Sequence, residues 1–159
     1  MTVATKNGKE TLQVVREIVT HHGATREELI PILTDINHEL GYLSAESMNE
    51  VSRLIGVPKS QLFSVASFYK MLSIRPRGAH VVQFCENAPC HVVGGRQLWN
   101  ALREELKLNA GETSPDGKWT LVTTSCLGLC AVGPVIVIDD DVYGNVEPDR
   151  LPEILGRYA

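Results

Sequence analysis

No apolar run in the sequence approaches the roughly 20 residues that a membrane helix needs. The opening stretch, MTVATKNGKE, has no apolar signal core. The expected location is therefore cytoplasmic, with a peripheral place on a membrane complex left open and direct insertion excluded. Residues 1–8 are expected to form a flexible N-terminus. A basic surplus is also missing: the formal net charge is -4. Nucleic acid is thereby excluded as a partner, because phosphate binding requires a positive surface. There is no G-x-G-x-x-G after a strand, no Walker loop, no H-E-x-x-H and no Ser/His/Asp arrangement. On its own, the chain is not expected to bind NAD or to move a hydride. Internal repeats and low-complexity tracts are absent too. With 43% hydrophobic and 21% charged residues over 159 positions, the composition is that of a globular protein able to bury a core.

The charge that is present is unevenly spread. Residues 1–78 carry nine Lys/Arg against eight Asp/Glu, while residues 79–159 carry six against eleven. The two halves also differ in pattern. In the first, Leu12, Val15, Ile18 and Val19 share one helical face, and His21-His22-Gly23 ends that segment. Thr25 and Glu28 have capping-box spacing before a second helix with Leu29, Ile32, Leu33, Ile36 and Leu40 inward, stopped at Gly41. Ser44 can cap a third helix that buries Met48, Val51, Leu54 and Ile55. Pro58 suits the first turn of a fourth, containing SQLFSVASFYKML. Residues 9–78 are thus expected to form a small helical bundle. The stretch SIRPRGAH breaks the pattern.

Residues 79–159 alternate instead. AHVVQFC, WTLVTT and PVIVID are strand-like, Gln97–Leu108 has a helical face, and Pro148–Tyr158 reads as a closing helix. DDVYGNV reads as a hairpin turn leading to a short strand, with Gly144-Asn145 as a turn signal. The order β-α-β-β-α fits an α/β thioredoxin-like domain with a four-stranded mixed sheet.

All four cysteines lie in this acidic half: Cys85 and Cys90 as C-x4-C, then 35 residues, then Cys126 and Cys130 as C-x3-C. Each pair follows a predicted strand. If those strands are neighbours, the two loops meet at one end of the sheet. A disulfide framework fits poorly with a chain that has no signal segment and needs no staples. A thioredoxin-type dithiol requires C-x-x-C, which neither pair has; a thiol oxidoreductase, with Cys126 as nucleophile, stays as a third reading. Zinc takes four thiolates, and a zinc-stabilised structural or assembly module without redox activity is the alternative, although C-x3-C is unusual for it. A 2Fe–2S cluster takes two thiolates per iron and accommodates the wider spacings. Gly128, Ala131 and Gly133 would let backbone N–H groups approach the sulfurs. Gly94-Gly95 would ease the chain into the following helix, whose positive dipole end would face Cys90.

VVQFCENAPCHVVGG and TLVTTSCLGLCAVGPVIVIDDDVYGNVEPDRLPEIL, together with the upstream ELGYLS and VASFYKML, resemble the thioredoxin-like 2Fe–2S ferredoxin family. That family includes the E-type subunit of complex I and the corresponding subunits of NAD-linked hydrogenases, formate dehydrogenases and electron-bifurcating complexes. The resemblance spans about residues 10–158. It implies that Cys85, Cys90, Cys126 and Cys130 ligate one 2Fe–2S cluster, and that the helical bundle helps dock the chain. The implied partners are a flavoprotein subunit with FMN, an NAD(H) site and a 4Fe–4S cluster, and a larger iron–sulfur subunit. Electrons would pass between the 2Fe–2S cluster and that flavin. Because thioredoxin-like folds place a cis-proline beside the active loop, Gly133–Pro134 is expected to be cis.

Other conspicuous residues have plainer readings. Phe68 and Tyr69 are expected in the core or an interface, and Trp99 and Trp119 in packing. His21 and His22 complement a helix end. His91 is expected to be exposed or to hydrogen-bond near the cluster. Asp139, Asp140 and Asp141 belong to a hairpin turn rather than a cation site.

Overall fold

Residues 8–158 are described by a computed structural model in which four helices precede a mixed sheet. The expected flexible segment 1–8 falls almost wholly outside the described residues; Gly8 opens the first helix. The chain divides into two compact units, Met1–Pro76 and Arg77–Ala159.

In the first unit, α1 (Gly8–His21), α2 (Leu29–Leu40), α3 (Ala45–Ile55) and α4 (Lys59–Phe68) enclose a core centred on Val15, Val19, Ile32, Leu33, Ile36, Val51 and Leu62. Each large aliphatic side chain buried this way contributes about 1.5–3 kcal/mol. Ser44 caps α3 as expected: the Ser47 N–H donates to its Oγ at 3.0 Å. Gly41 and Gly56 end α2 and α3 in the left-handed conformation.

Two local expectations fail in this unit. No side chain caps α2, since the Glu28 carboxylate lies 3.5 Å from His22 Nδ1 instead of folding back on Thr25. The fourth helix also stops early, at Phe68. Tyr69 turns extended, and the Leu72 N–H donates to the Tyr69 carbonyl at 3.0 Å, which tucks Leu72 into the core. Phe68 is left 78% exposed and so is not a core residue, whereas Tyr69 is half-buried against the core. Periodicity missed Glu50. This buried carboxylate accepts from Arg16 Nε at 2.6 Å and from Arg53 at 2.8 and 2.9 Å, tying α1 to α3.

The second unit is built on β1 (His80–Cys85), β2 (Glu112–Thr113), β3 (Trp119–Thr124), β4 (Ile136–Ile138) and β5 (Asp141–Tyr143), in the order β2-β3-β1-β4-β5. β1 and β3 are parallel and the other pairs are antiparallel. Joining parallel neighbours requires a crossover. It is made by a helical turn, α5 (Ala88–Cys90), a kinked segment at His91–Gly95 and the long helix α6 (Arg96–Leu106). A 3-10 turn at Pro148–Arg150 leads into α7 (Leu151–Gly156). Val82 and Phe84 of β1, Leu121, Ile136 and Ile138 are buried with Leu98 and Leu102 of α6 and Leu151 and Ile154 of α7.

The sheet has one strand more than expected. The two-residue β2 hydrogen-bonds to the edge of β3, and it is too short to leave an alternating pattern. The β4–β5 turn sits at Asp139-Asp140, not at Gly144-Asn145. Asp139 has a φ of 55°, and its carboxylate accepts from the Val81 N–H at 2.9 Å and contacts His80 Nδ1 at 2.8 Å. Asp141 accepts from the Tyr158 hydroxyl at 2.6 Å. These bonds absorb Asp139 and Asp141 into the turn and its neighbours, and Asp140 is exposed at the turn. Trp99 and Trp119 pack, half-buried, against the core of this unit.

Candidate metal centre

Pairing between β1 and β3 decides where the cysteines go. The strands run parallel with Cys85 opposite Thr124, so they end together. Cys85 is the last residue of β1, and Cys126 lies two residues beyond the end of β3. The Glu86 N–H donates to the Thr124 carbonyl at 3.2 Å, holding the start of the first loop against the start of the second. α5 then turns the chain back and places Cys90 beside Cys85. Both thiols are buried, 1% and 2% exposed, in a small cluster with Val135, whose carbonyl accepts from the Cys85 N–H at 3.2 Å.

The second pair is on the surface. Cys126 and Cys130 are exposed, with their sulfurs 3.6 Å apart. The Gly128 N–H donates to Cys126 Sγ at 3.4 Å, and Gly128 has a φ of 79° that glycine adopts without strain. A 3-10 turn at Cys130–Val132 carries the chain to Gly133–Pro134, whose peptide bond is cis as expected.

The two loops share one electrostatic neighbourhood. Burial, followed by the hydrogen bond with Cys85, pushes the Cys90 thiol above its usual range, and the charges of Cys85 and Cys130 act on it in the same direction. The hydrogen bond with Cys126, followed by partial desolvation, pushes Cys130 up, and the charges of Cys126 and Cys85 add to the shift. Metal binding at such thiols must displace their protons.

The donors fall into two pairs, one buried and one exposed. A 2Fe–2S cluster takes two thiolates on each of two irons, which is the grouping seen here. The four thiols therefore fit this cluster.

Several glycines make room for this geometry. A Cβ at Gly95 would lie 2.6 Å from the Cys90 carbonyl oxygen, and one at Gly133 would lie 3.1 Å from Val93 Cγ2 and 3.4 Å from Cys90 Sγ. Of the three small residues expected to offer N–H groups to sulfur, Gly128 does so. Gly133 gives its N–H to the Cys130 carbonyl at 3.3 Å and serves as space instead, and Ala131 lies within the 3-10 turn. Cys90 does not face the start of α6. It ends the short turn α5, and a kink at Val93 and Gly94 separates the two. His91 is exposed.

Gly144 was missed as a site residue. The Asn145 N–H donates to the Val132 carbonyl at 2.6 Å, the Val146 N–H donates to the Pro134 carbonyl at 3.2 Å, and a Cβ at Gly144 would lie 2.9 Å from the Val132 backbone. The segment after β5 therefore clamps the second loop. In the sequence, Gly144-Asn145 reads only as a turn.

With this geometry, the chain can be set beside known proteins. The family model for thioredoxin-like [2Fe-2S] ferredoxin matches residues 15–159. The chain belongs to this family. Its cofactor is accordingly the 2Fe–2S cluster of the ferredoxin family. Among relatives, the E-type subunit of the NADH-quinone oxidoreductase of Escherichia coli K12 is 31% identical over 146 residues, covering 92% of this chain and 88% of the relative. The HndA subunit of the NADP-reducing hydrogenase of Solidesulfovibrio fructosivorans is 31% identical over 150 residues, covering 94% and 85%. An E-type subunit of the NADH-quinone oxidoreductase of Rhizobium meliloti is 35% identical over 133 residues, covering 84% and 79%. The fold matches part of an NAD+-reducing [NiFe]-hydrogenase with a TM-score of 0.70 at 20% identity, covering 82% of this chain and 22% of that longer one. No helix among the described residues of this ferredoxin is long and apolar enough to cross a membrane.

Proposed function

We propose that Cys85, Cys90, Cys126 and Cys130 hold one 2Fe–2S cluster, and that the chain is an electron-transfer subunit of a multi-subunit NAD(P)H-linked oxidoreductase. The observation that carries this reading is the parallel register of β1 and β3, which brings a buried and an exposed thiol pair to one end of the sheet. When bound, the cluster supplies a reversible one-electron change. The chain's residues do the rest. Cys85 and Cys90 anchor the group in an apolar pocket, the Gly128 N–H offsets charge on the Cys126 sulfur, and the exposed pair leaves one edge open to a partner.

The partner in this reading is a flavoprotein subunit with FMN, an NAD(H) site and a 4Fe–4S cluster, alongside a larger iron–sulfur subunit, in the cytoplasm. Its support is that the relatives are themselves subunits of NADH-quinone oxidoreductases and of an NADP-reducing hydrogenase. The helical unit helps dock the chain, and its exposed Phe63, Phe68 and Met71 suit that role.

Iron and acid-labile sulfide analysis on protein purified without air tests the centre. The expected result is two of each per chain, about the content of one 2Fe–2S cluster, with an EPR signal appearing on reduction. A colourless, zinc-loaded protein would overturn the reading in favour of a structural module. Co-purification from the native cell tests the partner, and recovery without any flavoprotein would remove that part of the proposal.

A further inference from the structure

The two thiol pairs differ in what can reach them. Cys85 and Cys90 are closed off at 2% and 1% exposure, beyond contact with a tripeptide-sized reagent. Cys126 and Cys130 are exposed free thiols with sulfurs 3.6 Å apart. A disulfide has its sulfurs about 2.05 Å apart, so closure requires an approach of about 1.5 Å. The loop between them can supply that movement. Gly128 sits at its centre with no atom within 4 Å of where a Cβ would project, and both ends of the loop are at the surface.

We infer that in the cluster-free chain Cys126 and Cys130 form a reversible thiol-oxidation site that reacts with low-molecular-weight disulfides such as glutathione disulfide. One protein thiolate attacks a sulfur of the reagent, breaking its S–S bond, forming a mixed disulfide and releasing one small thiol. The second protein thiolate attacks the protein sulfur of that mixed disulfide and releases the other small thiol. Two electrons pass to the reagent, and the two protons lost by Cys126 and Cys130 are balanced by those on the two released thiols. The closed ring is short, so it constrains the unfolded chain little and is readily reduced again. Cys85 and Cys90 are spared by burial. The ring would also withdraw two of the four donors from iron, a consequence that rests on the ligand assignment proposed above.

The test uses the full chain stripped of iron and treated with glutathione disulfide. Cysteines are then alkylated in denaturant, and the peptides are mapped by mass spectrometry. The expected result is a fall from four alkylated cysteines to two, with the peptide holding Cys126 and Cys130 lighter by two hydrogens and restored by dithiothreitol. The exposed variant Cys126→Ser should instead stop at a glutathione adduct on Cys130. Stable glutathione adducts on Cys126 and Cys130 in the unaltered chain, a bond reaching Cys85 or Cys90, or no oxidation would each overturn the inference. A second arm offers iron and sulfide to the oxidised chain. Loading despite a confirmed Cys126–Cys130 bond would defeat the ligand assignment and leave the thiol-oxidation site standing.

Discussion

The first thiol loop is folded into the core, and the second is pinned to it from outside. Cys85 ends a central strand and Cys90 ends a helical turn. Their sulfurs pack with Val135, and the backbone at Cys90 leaves no space for a Cβ at Gly95. Cys126 and Cys130 are exposed, and their loop is held mainly by backbone bonds from Asn145 and Val146 to its far end. Holding a ligand in a packed core limits its freedom before metal arrives, whereas an exposed ligand must be ordered when the metal binds. The first loop therefore acts as the fixed half of the site, and the second as the half that closes.

The largest expected difference comes from the ligands themselves. Both Cys90→Ser and Cys126→Ser should lower the 2Fe–2S content, but they should diverge in the cluster-free chain. A serine hydroxyl at position 90 is buried with only the Cys85 thiol and the Val135 backbone as partners, and burying the more polar group there costs about 1–3 kcal/mol. At the exposed position 126 the change should stay within about 0.5 kcal/mol. Denaturant melts of the cluster-free variants measure both values. Equal destabilisation would break the distinction between a core loop and a surface loop.

Glycine substitutions probe the supports of each loop. In Gly95→Ala the new methyl meets the Cys90 carbonyl at 2.6 Å, backbone against backbone. Strain of this kind costs about 1–3 kcal/mol and should lower the stability of the cluster-free fold. In Gly144→Ala the methyl meets Val132, 2.9 Å away, and pushes on the outer loop. Here the expected result is faster iron loss to a chelator, with a smaller change in the melting of the cluster-free chain. If Gly144→Ala instead matched Gly95→Ala in destabilisation and left iron retention untouched, the clamp assigned to residues 144–146 would be wrong.

A milder change acts inside the second loop. Gly128 has a φ of 79° with open space around it, so alanine there brings conformational strain alone. That strain is about 1 kcal/mol, and Gly128→Asn should recover part of it because asparagine tolerates the left-handed region. The readout is the midpoint potential of the loaded protein: loosening the bond from the Gly128 N–H to Cys126 Sγ should lower it. An unchanged potential in Gly128→Ala would remove that N–H as a tuning group.

How much of this was legible in the sequence depended on whether local or distant contacts set the feature. The helical faces of α2 and α3 and the strands leading into the two cysteine loops were readable because burial repeats at a fixed period. The convergence of the cysteines could be stated only as a condition, since it depends on β1 lying beside β3 across a crossover. Features created by contacts between distant segments were not legible. The Glu28 carboxylate turns to His22, in the turn just after α1, and abandons the capping box; Asn145 and Gly144 act on a loop more than ten residues earlier in the chain; Glu50 is buried because Arg16 reaches it from another helix. The split between a buried and an exposed thiol pair has the same origin, for C-x4-C and C-x3-C carry no information about depth.

The smallest expected effect serves as a reference outside both loops. Glu50 is held at a pKa of about 2, below its ordinary 4.5, first by hydrogen bonds from Arg53 and then by those from Arg16. Its folded-state pKa is depressed, so the stability it contributes is fully present above 4.5 and is lost as the pH falls toward 2. The two arginines are 57% and 62% exposed, so solvent and salt screen the pair and the contribution is modest. Glu50→Gln should flatten the acid limb of the stability profile of the helical unit between these values, without changing iron content or the EPR signal. Substitutions in the thiol loops should do the reverse, altering cluster retention while leaving that acid limb in place. A loss of iron in Glu50→Gln at neutral pH would mean that stability in the helical unit and occupancy of the thiol site are coupled, and the contrast between the two loops would then have to be measured against a common background rather than within the second unit alone.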